Sequence, residues 1–173
     1  DWSSDVCSSD LAKINQVLAR VFQGQPAPRG ILLYGPSGCG KSLLAGSLAS
    51  YSLSPAHSLP ITFIAVDSAS LLSKYFGESE RNLAQVFADA RAASPCILFF
   101  DQIDALTAKR GLLHNSDRLV TTFLTEMDGF ARKSQYDTVI VLATTSKRSQ
   151  LDAAILRPGR LDLHLELPLP GTD

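Results

Sequence analysis

Short apolar runs and amphipathic stretches alternate along the chain from Ala12 onward. Ala12 to Phe22 has apolar residues at helical spacing and stops before Gly24, Pro26 and Pro28. Gly30 to Tyr34 is a continuous apolar run short enough to be a buried strand. A glycine-rich turn follows it, and then a helical stretch from Lys41 to Tyr51. Ser52 to Pro60, with Pro55 and Pro60, reads as a loop, and Ile61 to Val66 as a second strand. Glu78 to Ala93 places Leu83, Val86, Phe87 and Ala90 on one helical face, which predicts a helix packed on a sheet. Cys96 to Phe100 is a third strand, Asp117 to Met127 a helix ending at Gly129, and Thr138 to Ala143 a fourth strand. In the last segment Leu161, Leu163, Leu165 and Leu167 alternate with Asp162, His164 and Glu166, which predicts an edge strand with one buried face. Strands alternating with helices are the mark of βαβ units, so the predicted class is α/β, a parallel sheet covered on both faces.

Composition narrows the picture. The chain has 173 residues, 45% of them hydrophobic and 19% charged, which suits one soluble domain with a real core and excludes disordered and collagen-like classes. A formal charge of -1 gives no global basic surface, so nucleic acid is not the expected partner. No stretch approaches the ~18 to 20 apolar residues of a transmembrane segment. Asp1 to Leu11 (DWSSDVCSSDL) has no hydrophobic period and resembles the one-frame translation of a sequencing-library adaptor. We set residues 1–11 apart as a tail, leaving 12–173 to carry the fold. Setting aside Asp1, Asp5 and Asp10 moves the charge from -1 to +2 and removes Trp2 and Cys7. The other cysteines, Cys39 and Cys96, form no metal-ligand spacing; Cys96 opens an apolar run as a small buried hydrophobe. His57, His114 and His164 show no partner spacing and read as loop or surface residues.

Candidate chemistry begins with Gly35-Pro36-Ser37-Gly38-Cys39-Gly40-Lys41-Ser42, which matches the phosphate-loop pattern GxxxxGK[ST] between a predicted strand and helix. The glycines let backbone N–H groups turn onto phosphates, and the following helix presents its positive end to them. In that pattern Lys41 reaches the β- and γ-phosphates, and the Ser42 hydroxyl ligates Mg2+. Leu43 extends the nucleotide-contacting run. Ile97-Leu98-Phe99-Phe100-Asp101 ends a buried strand on a carboxylate, the form that holds the magnesium shell beside a phosphate loop.

Together RGILLYGPSGCGKSLLAGSLA, SLLSKYFGESERN, ASPCILFFDQID, FLTEMDGF, VIVLATTS and AILRPGRLD resemble, in order and spacing, the AAA ATPase module of valosin-containing protein and the peroxisome-biogenesis AAA proteins. The resemblance runs from about Arg29 to Pro168. It implies a three-layer αβα P-loop fold with a parallel five-stranded sheet and a helical lid that lies beyond Asp173. It further implies ATP and Mg2+ as ligands, hexameric rings of like or mixed AAA subunits, and protein substrates and adaptors threaded through a central pore. A cytoplasmic site of action goes with it, with peripheral placement at an organelle membrane as the alternative. Lys74-Tyr75-Phe76-Gly77 is similar to the first pore loop, with Tyr75 as the aromatic that grips substrate. Lys109, Arg110 and His114 fall where a second pore loop lies. Arg157 and Arg160 resemble the arginine fingers that reach the γ-phosphate held by the neighbouring subunit, a role suited to a planar guanidinium.

The chain departs from the family pattern at several positions. The residue after Asp101, usually the glutamate that activates water, is Gln102. An amide takes up no proton at neutral pH, so a general-base contribution of ~100 to 10,000-fold is reduced or lost. A glutamine still orients water by hydrogen bonding, as in some GTPases. Asp104 is the alternative base, a weak one if it lies on a following helix. Ser146 stands where an asparagine usually helps polarise water, Lys147-Arg148-Ser149 replaces Arg-Pro-Asp, and the Ser52 to Pro60 loop is long. The reading is an ATP-driven protein-remodelling subunit with weakened hydrolysis. The alternatives are a nucleotide-binding structural subunit of a mixed ring and, further off, a DNA-directed AAA+ motor. A GTPase is disfavoured because no NKxD motif follows.

Overall fold

The computed structural model describes residues 4–22, 28–52, 61–72, 75, 77–107, 116–130 and 138–169. Among the described residues five strands form one sheet: β1 (Gly30–Tyr34), β2 (Thr62–Asp67), β3 (Cys96–Asp101), β4 (Val139–Thr145) and β5 (Leu161–Glu166). Every pairing is parallel, in the order β2-β3-β4-β1-β5. The helices are α1 (Ser4–Phe22), α2 (Lys41–Ser52), α3 (Glu78–Ala92), the short α4 (Asp104–Thr107) and α5 (Ser116–Asp128).

The central strands read as unbroken apolar runs because both of their faces are covered. Successive residues face opposite layers: Leu32, Leu98, Phe100 and Val141 meet α3 and α5, whereas Ile31, Leu33, Ile97 and Ile140 meet α1 and α2. The first layer is aromatic, with Phe87 centred 5.7 Å from Phe100 and 5.6 Å, edge-on, from Phe123. The second is aliphatic, with Ile14 and Leu18 of α1 and Leu44 and Leu48 of α2 fully or almost fully buried. These two layers on the sheet are the three-layer αβα arrangement expected from the sequence.

Two expectations need correction. Helix α1 starts at Ser4, ahead of the expected Ala12, and takes up most of the stretch set apart as a tail; Leu11 packs against the aliphatic layer. Once Ile14 and Leu18 are docked, extending a nucleated helix backward costs little even where the sequence has no apolar period. The alternation in the last segment does not keep one face. Gly30 pairs with Leu161 and Ile31 with Leu163, so Asp162 is an extra residue opposite the β1 ladder. That irregularity reverses the alternation, putting Leu161 in the aromatic layer and Leu163 and Leu165 against the aliphatic one. The edge position of β5 is as expected. The expected loop from Ser52 to Pro60 lies outside the described residues beyond Ser52, as do Lys109, Arg110, His114 and His57.

Candidate nucleotide site

Because β4 lies between β1 and β3, three turns meet at the carboxyl ends of these strands. They bound a cleft of about 260 Å³ lined by Ser37, Gly38, Gly40, Lys41, Ser42 and Leu43 on one side and Asp101, Gln102, Thr144, Thr145 and Ser146 on the other. This is where ligands bind in open α/β sheets.

The loop after β1 owes its shape to glycine. Gly38 and Gly40 have φ of 86° and 88°, left-handed values that side chains resist. At Gly35 a Cβ atom would stand 2.2 Å from the Leu167 carbonyl oxygen, so the chain leaving β5 packs directly on the loop. The Lys41 ammonium spans the loop, donating to the carbonyls of Gly35 at 2.8 Å and Pro36 at 2.7 Å, and lies 3.5 Å from Cys39 Sγ. Cys39 itself is only 4% exposed, with its side chain packed in the aliphatic layer, so any part it takes in ligand contact falls to its backbone. Leu43, by contrast, is 64% exposed at the rim.

Ser42 lies in the first turn of α2, and its hydroxyl lies 3.3 and 3.2 Å from the two carboxylate oxygens of Asp101 at the tip of β3. A serine and a carboxylate side by side are hard oxygen donors, the kind Mg2+ accepts while keeping the rest of its shell as water and phosphate. A helix N-terminus and an ammonium group beside these oxygens are the kinds of group that attract an anion.

Across the cleft, Gln102 is exposed and has φ of 53°, an uncommon left-handed value for a residue other than glycine. Its N–H donates to Thr144 Oγ1 at 3.0 Å, and Thr144 Oγ1 donates to Asp101 Oδ1 at 2.5 Å. Ser146, exposed, follows β4. Asp104 heads α4 and accepts from Thr145 Oγ1 at 2.8 Å; that oxygen also accepts the Lys147 N–H at 2.9 Å. The Asp104 carboxylate is thereby engaged in holding the turn that carries Ser146.

The two candidate fingers differ. Arg160 makes a bidentate pair with Asp128 at the end of α5, with Nε and Nη2 3.2 and 3.0 Å from its oxygens, and donates to the Ala154 carbonyl at 2.8 Å. The hydrogen bond holds the Asp128 carboxyl below its usual pKa and raises that of Arg160. Arg157 is exposed and makes no such pair among the described residues. Tyr75 is 78% exposed, and Gly77, with φ of 76°, caps α3; Lys74 and Phe76 lie outside the described residues. His164 is not the partnerless surface residue expected: its Nδ1 lies 3.1 Å from Arg148 Nη2 and its Nε2 2.6 Å from the Leu161 carbonyl. Arginine only donates, so Nδ1 accepts and Nε2 carries the proton. Thr144, Thr145 and Asp128 were not singled out by the sequence. The two hydroxyls that end an apolar strand at Thr144-Thr145 were the available signal for the first two.

A parallel sheet with a glycine-rich loop between β1 and α2 and a carboxylate at the tip of β3 is the core of a P-loop nucleoside triphosphatase. Residues 31–169 match the family model described as ATPase family associated with various cellular activities (AAA), and the chain belongs to that family. Similar proteins include the ribosome biogenesis ATPase RIX7 of Saccharomyces cerevisiae, 45% identical over 87% of this chain and 17% of its own length. The putative ribosome biogenesis ATPase nvl of Dictyostelium discoideum is 44% identical, again over 87% of this chain and 17% of its length. A cell division cycle protein 48 homologue of Archaeoglobus fulgidus is 43% identical over 83% of this chain and 19% of its length. The chain thus spans under a fifth of the length of these relatives. It is an AAA ATPase-family domain. Among the described residues no helix is long and apolar enough to cross a membrane.

Proposed function

We propose that this domain binds Mg-ATP in the cleft between the β1–α2 loop and the β3–β4 turns, and powers protein remodelling as one subunit of a hexameric ring. The observation that carries the reading is the meeting of Lys41, Ser42 and Asp101 at one cleft with Gln102 beside them. Lys41 and the α2 N-terminus bind phosphate, and Ser42 and Asp101 hold the cation. Mg2+ held by Ser42 and Asp101 would supply neutralising charge to the bound phosphates. Gln102 and Ser146 orient the attacking water without taking its proton, so hydrolysis is slow relative to binding. Arg157 projects to the neighbouring subunit's nucleotide while Arg160, tied to Asp128, holds the Arg157 segment in place. Exposed Tyr75 grips a protein substrate in the pore. The names of relatives make ribosome assembly one process to search for that substrate.

The exposed amide of Gln102 favours a second reading, a subunit that binds ATP, turns over little, and lends Arg157 to an active neighbour. Fluorescent-ATP binding measured beside steady-state hydrolysis, in the natural chain and in Gln102→Glu, tests both. The expected result is unchanged binding with turnover raised by about 100-fold or more. No rise in turnover within an assembled ring would sink the account of Gln102. Robust turnover by the natural chain would make this an ordinary motor subunit.

A further inference from the structure

Resting on the Mg-ATP reading of the cleft, we propose that Thr144 is a positioning residue that sets both the metal-holding face of Asp101 and the turn presenting Gln102. Thr144 lies on β4, between the strand that leads into the phosphate loop and the strand that ends on Asp101, and is 1% exposed. Its hydroxyl is used twice: it accepts the Gln102 N–H at 3.0 Å and donates to Asp101 Oδ1 at 2.5 Å. An amide N–H has no acceptor to offer, so the hydroxyl proton has one place to go, the carboxylate. The Thr144 carbonyl also accepts the Ile103 N–H at 2.9 Å. One residue therefore binds three successive residues of the turn, 101 to 103.

Two consequences follow from that geometry. Oδ1 of Asp101 is held by Thr144, which restrains rotation of the carboxylate, while the Ser42 hydroxyl lies 3.3 and 3.2 Å from Oδ1 and Oδ2; Oδ2, which Thr144 does not engage, is the oxygen assigned to the cation. Gln102, with φ of 53°, is kept in a conformation that L-residues leave when unconstrained. Removing the hydroxyl frees the carboxylate and orphans the Gln102 N–H together, so the effect falls on metal-dependent nucleotide binding. Contacts made by the β1–α2 loop alone are untouched.

Thr144→Val removes the hydroxyl at nearly constant volume, and Thr144→Ser keeps it while losing the methyl group. The experiment measures the affinity of a fluorescent ATP analogue first in excess chelator and then across a Mg2+ titration, for the natural chain and both variants. For Thr144→Val the Mg2+ concentration giving half-maximal enhancement should rise about 10- to 100-fold, with metal-free affinity changed less than about twofold. Thr144→Ser should keep the natural Mg2+ response within about threefold. A natural Mg2+ response in Thr144→Val would overturn the proposal, and so would an equal shift in Thr144→Ser, which would mark a packing role. Thr144→Ala makes the same comparison should the valine variant fail to fold. A natural chain whose nucleotide binding ignores Mg2+ would overturn the magnesium reading itself, an outcome distinct from a Thr144→Val that matches a Mg2+-responsive parent.

Discussion

The two sides of the cleft differ in how closely they keep to the ATPase pattern. On the β1–α2 side every position of the phosphate loop is filled by the residue type that phosphate binding requires, and the glycines take the backbone values that only glycine tolerates well. On the β3–β4 side Asp101 fits the expected pattern, Gln102 and Ser146 stand where the resemblance implies a carboxylate and an amide, and Thr144 ties the turn together. Holding a triphosphate and splitting water are separate physical tasks. The first needs fixed donors and positive charge, and the second needs a group that takes a proton or aligns a nucleophile. A change confined to one side of the cleft leaves the other task intact, and within the cleft the two departures, Gln102 and Ser146, both lie on the β3–β4 side, the side proposed to orient water.

The largest effect that would test this division comes from outside the cleft. Arg157→Ala should lower turnover in an assembled ring by about 10³- to 10⁵-fold while leaving fluorescent-ATP binding to the variant's own cleft unchanged. Loss of that binding instead would place Arg157 in its own subunit's site. On the phosphate side, Lys41→Ala removes charge-assisted bonds to two phosphates and should weaken ATP binding by about 100-fold. A variant that binds normally yet fails to hydrolyse would erase the contrast between the two sides.

The smallest expected effect concerns Arg160. Asp128→Ala breaks its bidentate pair, but Asp128 is 57% exposed, so the stability lost at neutral pH is under about 1 kcal/mol. The sign with pH is set by the lowered Asp128 pKa. The contribution is present above the ordinary aspartate value of 3.8 and disappears as the pH falls through the depressed folded value. Melting curves of the natural chain and Asp128→Ala should therefore differ at pH 7 and converge in acid. A gap that persists in acid would show that Asp128 acts through packing rather than charge.

Much of the molecule was legible because it is encoded locally. The phosphate loop is eight consecutive residues, and β3 announces itself by an apolar run that stops on Asp101. Helix α3 carries Leu83, Phe87 and Ala90 at the spacing that buries one face, and all three are fully buried. What stayed hidden depends on residues distant in the chain. Thr144 meets Asp101 from 43 positions away, and Arg160 meets Asp128 from 32. No spacing rule links such pairs, since strand order and register bring them together. The switch of faces at Leu161 was hidden for the same reason, because the extra residue shows only against the ladder of β1.

By itself the sequence determined the αβα layering, the glycine-rich loop between a strand and a helix, and the absence of a carboxylate at position 102. Each of these follows from residue type and short-range period. Only the tertiary structure decided that Asp101 is oriented by Thr144, that Asp104 is engaged by Thr145, and that Arg160 is bound within its own chain while Arg157 stands exposed. Those outcomes depend on side-chain contacts between segments distant in the chain, and these exist only once the sheet has assembled with β4 between β1 and β3 and the helices have packed on it.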